Sequence, residues 1–321
     1  LEKAVSAGPA ATLVTTPAHP TPPQRLGDGL RRAWQAACPE ADGGDVARAL
    51  VANFVGVCTA ADEPALRQAL THLPSRTPSR AFVVVIDPTA AAATATVRVT
   101  ARCSGALRDI VHEDLALQVP PAWFGHLPGL IRPLLMADLP THLFWCGEPS
   151  LHTGWLESLT NLSEHVVFDT RRFRVPLVDL EVVRALATRG VRCTDLHWLR
   201  LRPWRRALAE GLSRALYRPG EPLRATIHCG RLALGGAQLL GEWLEQRLQA
   251  GTDVQEVPSA ETDGAPTAIE LRSPTWQITA VRATGHVSVT VTTAERCLLP
   301  FRVPQSRGSD GELLAAAMDL G

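Results

Sequence analysis

The sequence predicts an α/β protein: a mixed, largely parallel sheet with flanking helices, followed by a smaller α+β domain that ends in an antiparallel meander. Three observations carry this. Between residues 49 and 187, short apolar runs alternate with amphipathic stretches at helical spacing, the pattern of strands buried on both faces of a parallel sheet. From Thr267 onward the text changes to short alternating segments separated by Ser273-Pro274, Thr284-Gly285 and Thr293-Ala294, as in hairpin-linked strands. The chain has 321 residues, 45% of them hydrophobic, which is enough for two ordinary cores. The expected organisation is a flexible N-terminal segment at 1–23, an α/β domain at 24–190 and an α+β domain at 191–321.

Taken in order, His19-Pro-Thr-Pro-Pro23 disfavours any regular structure that needs backbone donors. Leu26, Leu30, Trp34 and Ala37 then recur at helical spacing. Residues 49–58 read as a buried strand, 64–73 as a helix stopped by Pro74, and 81–86 as a second strand. Ala95, Val97, Val99 and Ala101 alternate with Thr96, Arg98, Thr100 and Arg102, so 94–102 is a half-exposed strand with 109–119 as its antiparallel neighbour. Residues 123–136 look helical, subdivided by Pro128 and Pro133. Strand, helix, strand and helix follow at 141–146, 155–162, 164–169 and 177–187. In the second half, Pro203 suits a first helical turn, with Trp204, Leu208, Leu212 and Leu216 along one face. A strand at 225–229, a helix at 236–248, a loop at 251–266, the four segments of the meander and a last helix at 311–320 that caps the meander complete the reading.

Composition narrows the chemistry. The 32 basic and 32 acidic residues cancel, so no long-range field draws the chain to nucleic acid or to anionic membrane surfaces. Lys3 is the one lysine in the sequence. Schiff-base, phosphate-loop and Ser-x-x-Lys mechanisms all need such an amine in the folded body. The seven cysteines stand singly, as reduced thiols of a cytoplasmic protein do. Residues 4–23 lack the basic start and unbroken apolar core of a signal peptide.

Catalytic constellations are sparse. On a strand, His112 and Asp114 would share one face and Glu113 the other, and the three read as a polar sheet edge. The ten histidines show no H-x-x-x-H or H-E-x-x-H face, so neither a metal nor another cofactor is expected. Gly230 to Gly236 lacks the G-x-G-x-x-G spacing and reads as a tight turn. No G-x-S-x-G elbow is present.

What remains is a set of aromatic and arginine-bearing segments: Phe144-Trp145, Asp195-Leu-His-Trp198-Leu-Arg200 and Arg202-Pro-Trp204-Arg205. Tryptophan and arginine are over-represented as anchors of protein interfaces; the competing reading is core packing. The same segments, with Arg48-Ala-Leu-Val-Ala-Asn53-Phe-Val, Pro133-Leu-Leu-Met-Ala-Asp138-Leu-Pro140, Leu143-Phe-Trp145-Cys-Gly147-Glu-Pro149 and Gln238-Leu-Leu-Gly-Glu-Trp243-Leu-Glu-Gln-Arg247-Leu248, occur in the order and approximate spacing of the OpcA family of glucose-6-phosphate dehydrogenase assembly proteins. The chain resembles that family over about residues 48–248. His197 and Arg202 stand where smaller or less basic residues are expected. The resemblance implies a non-catalytic partner that binds glucose-6-phosphate dehydrogenase and promotes its active assembly. Asp138, Trp145, Trp198, Arg200, Trp204 and Arg205 are the candidate contact residues. The alternative is an α/β enzyme or regulatory subunit that binds a nucleotide or sugar phosphate at the Gly230 turn or the His112–Asp114 spot. The chain's own oligomeric state stays open.

Overall fold

The computed structural model describes residues 12–37, 47–104, 107–149, 153–258, 264–305 and 308–320. The first segments are β1 (Thr12–Thr15), β2 (His19–Thr21), α1 (Leu26–Ala37), β3 (Ala47–Arg48) and β4 (Ala52–Thr59). Next come α2 (Glu63–Leu70), α3 (Leu73–Arg76), β5 (Ser79–Ile86), β6 (Thr94–Ser104) and β7 (Leu107–Val119). The expected helix at 123–136 is subdivided at its prolines into 3-10 turns around the short α4 (Leu127–Ile131). Then follow β8 (Thr141–Cys146), α5 (Thr153–Thr160), β9 (His165–Phe168), α6 (Pro176–Thr188) and β10 (Arg192–Asp195).

Strands β7, β5, β4, β8, β9 and β10 lie side by side in that order, every neighbouring pair parallel. Connections run outward from β4 first through β5 to β7, then through β8 and β9 to β10. This is the doubly wound order, with its switch point between β4 and β8. The antiparallel β6 extends the sheet beyond β7, and β1 and β2 pair with β6 in turn. Alternation divides the buried side chains of β4 between two layers. Val55 and Val57 join Leu30, Phe82, Trp145 and Leu156 on one face; Phe54 and Cys58 join Leu66, Leu73, Phe144 and Leu314 on the other. Burial on both faces explains the unbroken apolar runs.

The second layer system begins with α7 (Leu196–Arg200), α8 (Arg202–Arg214), β11 (Arg224–Cys229), α9 (Leu234–Leu248) and β12 (Gly251–Glu256). Strands β13 (Ala268–Arg272), β14 (Trp276–Ala283), β15 (His286–Thr293) and β16 (Phe301–Pro304) complete a sheet ordered β12-β11-β13-β14-β15-β16, and α10 (Asp310–Leu320) ends the described chain. From β11 to β16 the pairing is antiparallel, as the meander predicts. Trp204, Leu208, Leu240, Ile278 and Val289 share this core.

Several expectations are corrected. Residues 12–15 and 19–21 are strands, not an unstructured lead-in; Pro20 is accommodated because β2 lies at a sheet margin, where a proline's missing N–H breaks no ladder. Pro74 lies in the first turn of α3 and starts a helix rather than stopping one. Residues 251–256 form β12, parallel to β11, because the edge of that sheet accepts a polar strand. Leu216 lies past the end of α8 and is exposed. The last helix does not cap the meander: Leu314, Ala317 and Met318 pack with Leu66 and Leu70 on the large sheet. Strand β10 also joins that sheet, so a cut at residue 190 divides the chain but not its two layer systems.

Neither is the His112–Asp114 spot a polar edge. Strand β7 lies between β6 and β5, and Glu113 is fully buried. Glu113 accepts hydrogen bonds from Trp34 Nε1 at 2.8 Å and from the buried Arg80 guanidinium. Asp114, on the opposite face, meets Arg67 and Arg98. These carboxylates are consumed by structural pairing.

Candidate docking site at the carboxyl ends of the strands

Two aspartates organise the carboxyl ends of β9 and β10. Asp195 closes β10 and caps α7, accepting from the backbone N–H of His197 and Trp198 at 3.0 and 3.2 Å. It also accepts from Thr170 N and Oγ1 at 3.0 and 2.9 Å. Burial and the charge of Asp169 push its carboxyl up to about 6. Asp169 is buried as well, but Arg200 and Arg171 outweigh that burial and hold its carboxyl well below the ordinary range. Arg171 Nη2 reaches Asp169 at 2.8 Å and Asp310 at 3.3 Å; Arg200 spans the same two carboxylates at 3.1 and 2.6 Å. Two guanidinium groups therefore clamp the first residue of α10 to the end of β9.

His197 lies beneath this clamp. Its Nε2 donates to the Gly264 carbonyl at 2.6 Å, and its Nδ1 is 2.9 Å from Thr170 Oγ1. Burial lowers its pKa to about 4, so the ring is neutral at physiological pH. A Cβ on residue 236 would lie 2.3 Å from His197 Cε1. Gly236 thus admits the imidazole between α9 and α7, which accounts physically for histidine at position 197.

On the outer side of α7 the aromatic residues form a groove. The Trp198 and Trp243 rings meet at 6.2 Å in a T-shaped arrangement, and the Arg205 guanidinium lies 3.8 Å above the Trp198 ring. Leu180, Val183 and Leu239 complete an apolar trough of about 580 Å³. Arg205 Nη1 is buried without a hydrogen-bond partner among the described residues. The nearest acids of the groove are already committed: Glu242 holds Arg184 and Gln238, and Asp195 caps α7.

The six sequence candidates separate. Trp198 and Arg205 come together at the groove, and Arg200 lies on the other side of the same short helix, in the clamp. Trp145 and Trp204 are core residues, 3% and 0% exposed, in the first and second layer systems; their size is used in packing. Asp138 is exposed at the amino ends of the parallel strands, in a loop held by Asn53 through Met136 and Leu139. It is therefore remote from the groove. The sequence does not single out Trp243, Asp169, Arg171 or Asp310: Trp243 falls within the segment Gln238–Leu248 that carries the family resemblance, and the other three come together only through the path of the chain.

In a doubly wound sheet a dinucleotide binds at the switch-point crevice, here between β4 and β8. Its volume is about 310 Å³, and Arg171, Arg172 and Arg174 line it. The turn after β4 reads Thr59-Ala60-Ala61-Asp62, without glycine, and Asp62 and Glu63 bring negative charge to the start of α2. Asp62 holds Arg172 at 3.0 Å. A pyrophosphate needs close backbone approach and an electropositive helix start, so these residues do not fit one. Cys58 and Cys146 sit in register across β4 and β8 in this crevice. Burial raises both thiols, Cys146 to about 12, which leaves them protonated. Among the described residues no cluster of three or more His, Cys, Asp or Glu could hold a metal, and no helix is long and apolar enough to cross a membrane.

Comparison with known proteins gives two family matches. The glucose-6-phosphate dehydrogenase subunit N-terminal domain matches residues 71–185, and the C-terminal domain of the same subunit matches residues 191–320. A Nostoc punctiforme protein named for OpcA and the OxPP cycle is 30% identical over 139 residues, 43% of this chain and 30% of its own length. A Synechocystis protein with the same name is 29% identical over 82 residues, 26% of this chain and 17% of its own length. The matched stretches thus span less than a third of those relatives. Among solved structures, the 3-ketoreductase KijD10 of Actinomadura kijaniata with TDP-benzene and NADP superposes with a TM-score of 0.46 at 13% identity, covering 84% of this chain and 89% of that one. A levoglucosan dehydrogenase gives 0.47 at 9% identity, covering 84% and 88%. No chemistry is carried across likenesses of that size.

Proposed function

The chain belongs to the OpcA family, that of the glucose-6-phosphate dehydrogenase subunit, and we propose that it is a non-catalytic partner that binds this dehydrogenase and promotes its active assembly. The observation that carries the reading is the pair of family matches, which together take in most of the chain. The groove beside α7 supports it physically. A trough of two tryptophans and several aliphatic residues, with an arginine that holds no carboxylate among the described residues, suits an apolar segment of the dehydrogenase bearing an acidic side chain. Contact there biases the dehydrogenase only as far as its active assembly binds more tightly than its inactive forms.

The test is co-purification with the dehydrogenase of the same organism, with turnover measured with and without this chain. A stable complex and a raised rate are expected. Absence of a complex at micromolar concentrations of both proteins overturns the reading. Turnover of glucose 6-phosphate by this chain alone would overturn its non-catalytic part.

A further inference from the structure

A second concavity opens on the opposite side of α7 from the groove. It has a volume of about 770 Å³ and lies between α7, α8, α10 and the end of β16, where the two layer systems meet. Arg171, Arg200, Arg202 and Arg206 line it, and Asp310 is the one carboxylate among its lining residues. Asp310 is already shared by Arg171 and Arg200. Arg202 and Arg206, one helical turn apart on α8, hold no carboxylate among the described residues and are exposed. Apart from Gln305 the remaining side chains of the walls are apolar, among them Leu199, Pro203, Val303 and Leu313.

We propose that this cleft binds a phosphorylated small molecule. Asp169 and Asp310 balance Arg171 and Arg200, so Arg202 and Arg206 leave a local excess of about two positive charges in a partly enclosed space. A phosphomonoester, which carries close to two negative charges at neutral pH, matches it. Arginine's planar fork presents paired donors to phosphate oxygens. The volume falls within the roughly 300–1,000 Å³ of small-molecule sites, which favours a metabolite over an acidic protein segment. The apolar walls suit a sugar or nucleoside body. Arg171 and Arg200 serve both the cleft and the clamp, so a bound phosphate competes with Asp310 for their donors.

The full chain is titrated with ribose 5-phosphate, a hexose monophosphate and inorganic phosphate, with ribose as the uncharged control, by calorimetry and thermal shift. Saturable stabilisation by a sugar phosphate and none by ribose is expected. The Arg202→Gln/Arg206→Gln double variant, at exposed positions that leave the fold intact, weakens binding by about tenfold or more, and the Arg→Lys pair recovers part of it. No stabilisation by any phosphate at millimolar concentration overturns the proposal, as does equal affinity in the double variant or tighter binding of an acidic peptide. The dehydrogenase is absent from this assay, so its outcome is independent of the docking reading.

Discussion

At the residue scale, His197 shows how burial turns one side chain into a pH dependence. Its folded pKa is about 4 against an ordinary 6.5, so between those values the unfolded chain binds the proton more readily. His165, also lowered by burial to about 4, acts in the same sense. Stability from both is present above about pH 6.5 and is lost as pH falls toward 4, on the order of 3 kcal/mol per group. Asp195 opposes them: its carboxyl is raised to about 6 from 3.8, so its contribution is lost as pH rises through that window. Burial lowers His112 and His142 as well and raises Glu148, so four histidines stand against two carboxyls and stability rises with pH. Chemical denaturation at a series of pH values checks this, and His165→Gln is expected to flatten the slope. A slope of the opposite sign would show that Asp195 dominates.

At the element scale, α10 depends on sequence-distant charges. Its apolar face meets Leu66 and Leu70, and its first residue is held by Arg171 and Arg200. Asp310→Asn keeps the shape and removes the charge. A loss of about 1–2 kcal/mol is expected for these partly exposed pairs, read as faster amide exchange across 311–320 with little change in β4 and β5. Unchanged exchange would mean that apolar contacts alone hold the helix. The helix itself was legible from its composition, but its destination was not. The sequence places it directly after the meander, and only the packing of Leu314 and Met318 shows that it returns to the large sheet.

At the scale of the whole molecule, α7 separates two surfaces: the tryptophan groove on one side and the arginine cleft on the other, with Leu199 lining both. Arg205→Ala with Trp243→Ala tests the groove. Affinity for the dehydrogenase is expected to fall by at least about tenfold with the fold retained; equal affinity would move the docking face elsewhere. The sequence by itself determined the class of the fold and most of its strands, because burial on both faces writes an apolar run and half-exposure writes an alternation. It also determined the family, through motifs spread along the chain. Tertiary structure decided which motif residues are available to a partner. Trp204 and Trp198 look alike in sequence, yet one fills a core and the other lines a groove. The reason is that exposure depends on which elements cover a side chain, and those elements come from distant parts of the chain.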